Sequence, residues 1–288
     1  MIELWYFFVL SSVIAISFGE IGQKLSVTSK LNLSARTINF SIAAMQMVLA
    51  SAYVLLFVPN PDFSLSAIQL LQLVFSGILS FFFFDALYSS YKGNSASISQ
   101  VIFSFSAILS SILGIILFNE TVTIFKFIGI LLILAGVIFA SIKKGEKISR
   151  YNLLALLAAF IYAILTNNDK SFATAINPHV YQVLSMPVFL IVSLLFSGKK
   201  IMKEIRLIDM SLFRSILLST IAFTISNKLT YLAYSTGGEV GRVDAINNST
   251  IIFIIILEVL ILKDKSNLRT KIIASMLTVS GVLILGLL

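Results

Sequence analysis

The sequence predicts an all-α integral membrane protein: ten transmembrane helices forming two inverted five-helix repeats around a central cavity. Three observations carry this expectation. The 288 residues are 58% apolar and 12% charged, with a mean hydropathy of +1.00, far from the balance of a soluble domain. Unbroken apolar runs such as FSAILSSILGIILF recur from end to end, near the roughly 20 residues a helix needs to cross hydrocarbon. The second half also repeats the spacing of the first. A transmembrane barrel would need short strands of alternating polarity, and these runs do not alternate.

The runs place helices at 4–24, 36–57, 67–91, 95–118, 123–142, 152–171, 178–197, 210–236, 240–262 and 268–288. The loops between them are short and polar. The first run has no basic leader and no small-residue cleavage site, so it is expected to be a retained span.

The repeat emerges from marker residues. Gly93 precedes Glu120 by 27 residues, and Gly237 precedes Asp264 by 27. Each acid is followed by a short link and a last span holding a Gly-Val step, Gly136-Val137 and Gly281-Val282. At an offset of 143, Tyr88 and Tyr91 fall on Tyr231 and Tyr234, and Lys24 matches Lys170 at 146. The expected units are residues 1–145 and 146–288. Five spans per unit, an odd number, insert the second unit upside down, a plan common among carriers.

Charge supplies the orientation. Of 21 Lys and Arg, 17 lie in the odd-numbered loops, three in the even ones, and Lys228 falls inside a span. Basic loops stay in the cytoplasm, so both termini are expected outside the cell membrane. The same distribution explains the net charge of +8 without nucleic acid as a partner. The absence of cysteine and the presence of one histidine, His179, exclude thiol chemistry and leave no histidine-built metal site. No cofactor is expected. The partners expected are the lipid bilayer and a small polar metabolite, and the chain is expected to be a monomer.

The candidate functional residues are polar groups inside apolar spans. In the ninth helix Asp244, Asn247, Asn248 and Glu258 recur at helical steps and share one face. Such a stripe turns to the bundle interior or a water-filled cavity, not to lipid. At an offset of 144, Gln100 and Ser104 of the fourth helix match Asp244 and Asn248. In the third and eighth helices Asp85 matches Lys228 beside Tyr88 and Tyr231. Both charges are expected to reach the cavity, where they either pair or hold the two ends of a zwitterion. Glu20 admits two readings: a helix-end pair with Lys24 four residues on, or a gate or proton-binding carboxylate. Asp169 divides the same way. Glu258 is either paired near the membrane edge or takes up a proton during a cycle. Glu120 and Asp264 are expected to be structural, capping helices or bonding loops. The FFFF run at 81–84 is expected to serve as lipid-facing bulk and packing, Trp5 with Tyr6 as an interfacial anchor, and Pro187 can kink its helix.

One stretch, ALYSSYKGNSASIS…FNETVTIFKFIGILLILAGV (86–137), resembles the EamA-like family of the drug/metabolite transporter superfamily. The shared features are Ala86-Leu87-Tyr88, Gly93-Asn94-Ser95-Ala96-Ser97, Asn119-Glu120, Gly129 and Gly136-Val137, with Gly237, Asp264 and Gly281-Val282 in the second half. Family members often carry a proline within the fourth and ninth helices, and here there is none. The resemblance implies a secondary carrier with a central cavity that works by alternating access, and it names no cargo. The mix of acids, bases, amides and tyrosines in the spans suits a small polar metabolite such as an amino acid or amine. A flippase for a lipid-linked sugar is the alternative, and an integral-membrane enzyme is a third reading that no catalytic constellation favours.

Overall fold

The computed structural model of the chain describes residues 4–120, 123–141, 149–264 and 266–287. Among them every regular element is helical. In chain order these are α1 (Leu4–Val27), α2 (Ala35–Phe57), α3 (Ala67–Ser90), α4 (Ala96–Phe103), α5 (Phe105–Phe118), α6 (Ile124–Ser141), α7 (Arg150–Ala175), α8 (Pro178–Glu204), α9 (Met210–Ser235), α10 (Val240–Asn248), α11 (Thr250–Leu257) and α12 (Leu268–Leu287). Helices α4 and α5 together make the fourth span. Helices α10 and α11, with a π turn at Glu258–Leu262, make the ninth. Nine spans among the described residues are long and apolar enough to cross a membrane, and α6 fills the remaining place. The chain is a multi-span helical membrane protein.

Local chemistry starts and stops these helices. Ser34, Ser66, Ser95, Ser149 and Asp209 each accept a hydrogen bond from the amide three residues on, at the starts of α2, α3, α4, α7 and α9. Each thereby satisfies an amide that has no carbonyl partner within the helix. Asn177 does the same for α8, with Pro178 in its first turn, where a missing N–H costs nothing. The fourth and ninth spans end alike, on Asn119 and Lys263 in the left-handed region, at φ 53° and 54°.

Those two spans are also broken alike, without proline. Ser104 (φ −60°, ψ −10°) divides the fourth, and Ser249 (φ −65°, ψ −11°) divides the ninth. The Ser104 hydroxyl turns back onto the Val101 carbonyl at 2.5 Å, a side-chain bond that competes with the helix ladder.

The two halves are interlocked. Helix α1 packs mainly on α9, α3 on α7, α2 on α8 and α6 on α12. The α6–α12 seam depends on glycine. A Cβ on Gly129 would lie 2.7 Å from the Gly281 carbonyl oxygen, and one on Gly281 would lie 2.6 Å from that of Gly129. Small residues of this kind let helix backbones approach in a membrane, where no hydrophobic drive holds them together.

Of the four phenylalanines at 81–84, only Phe82 is exposed; Phe81 and Phe83 are buried and Phe84 is half-buried. Trp5, in the first turn of α1, is buried and stacked on Tyr6. In α8 the torsions depart from helical values at Ser197 (φ −145°), ten residues past Pro187.

Candidate functional site

A cavity lies between the halves. Helices α1, α2, α3, α4, α7, α8, α9, α10 and α11 all contribute to its wall, whereas α6 and α12 contribute nothing. Its volume is about 150 Å³, counted as room for the centre of a water molecule, about ten times what one water needs. Much of the wall is aromatic, with Phe83, Phe84, Phe103, Tyr162, Phe189 and Phe223. The remainder is polar and falls into two clusters.

The first cluster surrounds Glu20 of α1. Tyr88 of α3 and Tyr91, just past its end, both donate hydroxyl hydrogen bonds to its carboxylate, and Gln100 of α4 donates to the Tyr91 oxygen at 2.6 Å. Gln23 is one turn further along α1 and donates its amide to Asn39 of α2. The second cluster gathers Asp169 and Asp244. Tyr181 of α8 donates to Asp169. Ser106 (3.0 Å), Ser110 (2.9 Å) and the Asn248 amide (3.1 Å) donate to Asp244. Asn247 binds Ser12 of α1 and Thr230 of α9, and Tyr231 lies on the same wall. The clusters use equivalent places in the two halves: Gln23 and Asp169 are 146 apart, Gln100 and Asp244 are 144 apart.

The structure thus brings Glu20, Tyr88, Gln100, Asp169, Tyr231, Asp244, Asn247 and Asn248 to one cavity. It does not bring Asp85, Ser104, Lys228 or Glu258 there. Asp85 pairs with Arg36 of α2 through two hydrogen bonds, at 2.7 and 2.9 Å. The Lys228 ammonium lies 2.7 Å from the ring centroid of Tyr53, further along the same α2. Arg36 and Tyr53 are separated by about 25 Å at about 1.5 Å per residue. The expected pairing of Asp85 with Lys228 is therefore not formed, because the two occupy opposite ends of one helix's length. Ser104 is a break point, its hydroxyl spent on the chain. The expected Glu20–Lys24 pair is absent too, since the Lys24 ammonium binds the carbonyls of Tyr91 and Asn94.

Glu258 belongs to a buried ion cluster outside the cavity. Its carboxylate accepts from the Ser97 amide (3.2 Å) and hydroxyl (2.5 Å) at the start of α4, and it pairs with Lys271 of α12 at 3.2 Å. Lys271 also pairs with Asp264 at 2.8 Å. Glu120 mirrors this, accepting from the Val240 amide at the start of α10 (2.7 Å) and from Lys170 (3.1 Å). Each half thus supplies the carboxylate that caps the other's interrupted span. Beside the first of these caps, partial burial pushes the Asp264 carboxyl up, but Lys271 and Ser266 outweigh it and hold the group at about 2, below its ordinary 3.8. A depressed carboxyl contributes stability in full above its unfolded value and loses it as pH falls through the folded one. The melting temperature is expected to decline between about pH 4 and pH 2, and Asp264→Asn should flatten that part of the profile. For the Arg36–Asp85 pair, which is partly exposed, Asp85→Asn is expected to cost at most about 1 kcal/mol in a thermal melt.

Sequence reasoning passed over Gln46, Tyr162 and Tyr181 in the wall, and Arg36 and Lys271 as ion partners. Gln46 was findable, as a lone amide in the apolar run AAMQMVLA. The tyrosines gave no signal beyond their type.

The fold and site define a membrane transport protein of two homologous halves, and comparison gives the family. The model of the EamA-like transporter family matches residues 3–142 and again 149–287. The chain belongs to the EamA-like transporter family, within the drug/metabolite transporter superfamily. No curated protein matches the sequence. Among solved structures, one crystal structure of a protein superposes with a TM-score of 0.68 at 13% identity, covering 96% of this chain and 94% of that one. At that identity the likeness concerns the fold alone.

Proposed function

We propose that this protein is a secondary carrier that moves a small polar metabolite, an amino acid or amine, across the cell membrane by alternating access. The observation that carries the reading is the cavity itself: a chamber built from both halves, whose largely aromatic wall also carries carboxylates, amides and tyrosine hydroxyls within the spans. Groups of that kind are costly in hydrocarbon and mark substrate pathways.

In this reading residues 1–145 and 146–288 are inverted repeats. The packing supports it, because α1 on α9 and α3 on α7 are the same contact with the halves exchanged, and the amides capped by acids of the other half, Ser97 and Val240, stand 143 residues apart. The basic odd loops put both termini outside, and one chain holds a whole cavity, so it works as a monomer. Glu20, Asp169 and Asp244 are the carboxylates placed to meet cargo or an exchanged proton; Glu258, tied to Lys271, is not.

The test is flux into liposomes reconstituted with the purified chain, using labelled amines, amino acids, sugars and nucleosides. A saturable flux that falls at least about tenfold in Asp244→Asn is expected. Movement of lipid alone, with no soluble cargo carried, would replace this reading with the flippase.

A further inference from the structure

Sorting the ionisable side chains of the bundle by partner separates them into two groups. The described cations that are not exposed are engaged away from the cavity: Arg36 with Asp85, Lys126 and Arg242 with Glu239, Lys170 with Glu120, and Lys271 with Glu258 and Asp264. Lys24 is held by carbonyl oxygens and Lys228 by the ring of Tyr53. Every acid in those pairs has its counter-charge. Among the described residues of the spans, Glu20, Asp169 and Asp244 have none, and these three line the cavity. No Lys, Arg or His among the described residues lines it.

A second observation points to a ligand. Gln23 and Gln46 are buried in the same wall, and Gln23 Oε1 and Gln46 Nε2 have no hydrogen-bond partner. Buried amide atoms are rarely left without a partner, because their lost hydration is then uncompensated. The cavity thus holds unmet hydrogen-bonding capacity alongside unmet negative charge.

The two acid clusters are set apart along the bundle. Asn247 touches Ser12 of α1, and Ser12 lies eight residues, about 12 Å, from Glu20. The same wall carries Phe83, Phe84, Phe103 and Phe223, whose faces attract both hydrocarbon and positive charge.

We infer that the ligand of this cavity is a small organic cation, a protonated amine carried on an apolar body. This rests on the transport reading above and narrows it. An ammonium supplies the counter-charge that Glu20, Asp169 and Asp244 lack, and its body lies against the phenyl rings. A zwitterion brings a carboxylate into a chamber with three acids and no base, and an anion brings nothing else.

The test holds the body constant and changes the charge. Thermal unfolding of the purified full chain is followed with phenethylamine, phenylethyl alcohol, phenylpropionate and phenylalanine, and with butylamine and putrescine beside butanol and butanediol. A bound ligand raises the melting temperature by mass action. At least one amine should give a saturable rise that its uncharged counterpart does not. Glu20→Gln, Asp169→Asn or Asp244→Asn should weaken it about tenfold or more. If an alcohol, phenylpropionate or phenylalanine stabilises as well as the amines, the inference fails; so it does if all three variants keep the amine response. Should a variant not fold, the comparison of charges on the wild-type chain decides alone. Silence from every amine, with flux of a neutral or acidic solute into liposomes, overturns the cation and leaves the carrier. No binding and no flux from any class overturns both.

Discussion

Lys271→Met is expected to destabilise the protein by about 3–5 kcal/mol, the usual effect of removing one member of a buried ion pair. The lysine is 1% exposed and Glu258 is fully buried. Without the ammonium, Glu258 keeps only its bonds to Ser97, and Asp264 loses its cationic partner. Deleting both charges, in Lys271→Met with Glu258→Gln, removes the stranded carboxylate and should recover most of the loss. Melting of the two variants in detergent separates the cases. A single variant that melts within a degree or two of the wild type would show that Glu258 is neutralised some other way.

The other large effect is expected at the α6–α12 seam. Gly281→Leu places a side chain where a Cβ alone would stand 2.6 Å from the Gly129 oxygen and 2.8 Å from the Ile133 nitrogen. Both are backbone atoms and neither can rotate away. A cost of about 3 kcal/mol, the upper end for overpacking, is expected, with loss of monodisperse protein on gel filtration. Since α6 and α12 contribute nothing to the cavity wall, whatever Gly281→Leu protein does fold should bind solute normally. Weakened binding in the folded fraction would mean that the seam shapes the site.

Much of the architecture was legible because hydrocarbon is a simple solvent. A run of about 20 apolar residues has few alternatives to a spanning helix, and the markers at Gly93 and Gly237, Glu120 and Asp264, repeat openly. That Asp244, Asn247 and Asn248 share a face follows from helical period alone. What did not follow was the choice of ionic partners. Asp85 and Lys228 match by offset, but an inverted repeat mirrors depth, so matched residues away from the midplane, as these are, stand at opposite ends and cannot meet. Arg36 and Lys271 looked like loop charges obeying the positive-inside rule, and each proved to be the counter-ion of an acid elsewhere in the chain. Glu258 stood out as an acid amid isoleucines; its ligands, the amide and hydroxyl of Ser97, are 161 residues away. The breaks at Ser104 and Ser249 carry no proline to announce them.

The interlocked packing also sets the schedule on which this molecule can be made. Helix α1 rests on α9, which begins at Met210, so the ribosome adds roughly 180 more residues before that partner exists. At about 5–20 residues per second, α1 waits about 10–40 s in the bilayer with Glu20 and Gln23 facing no finished wall. Helix α3 waits for α7 in the same way. Biosynthesis of this carrier is therefore a long interval of incomplete solvation for its most polar helices, and a membrane insertase that shelters them through that interval would govern the yield of folded protein.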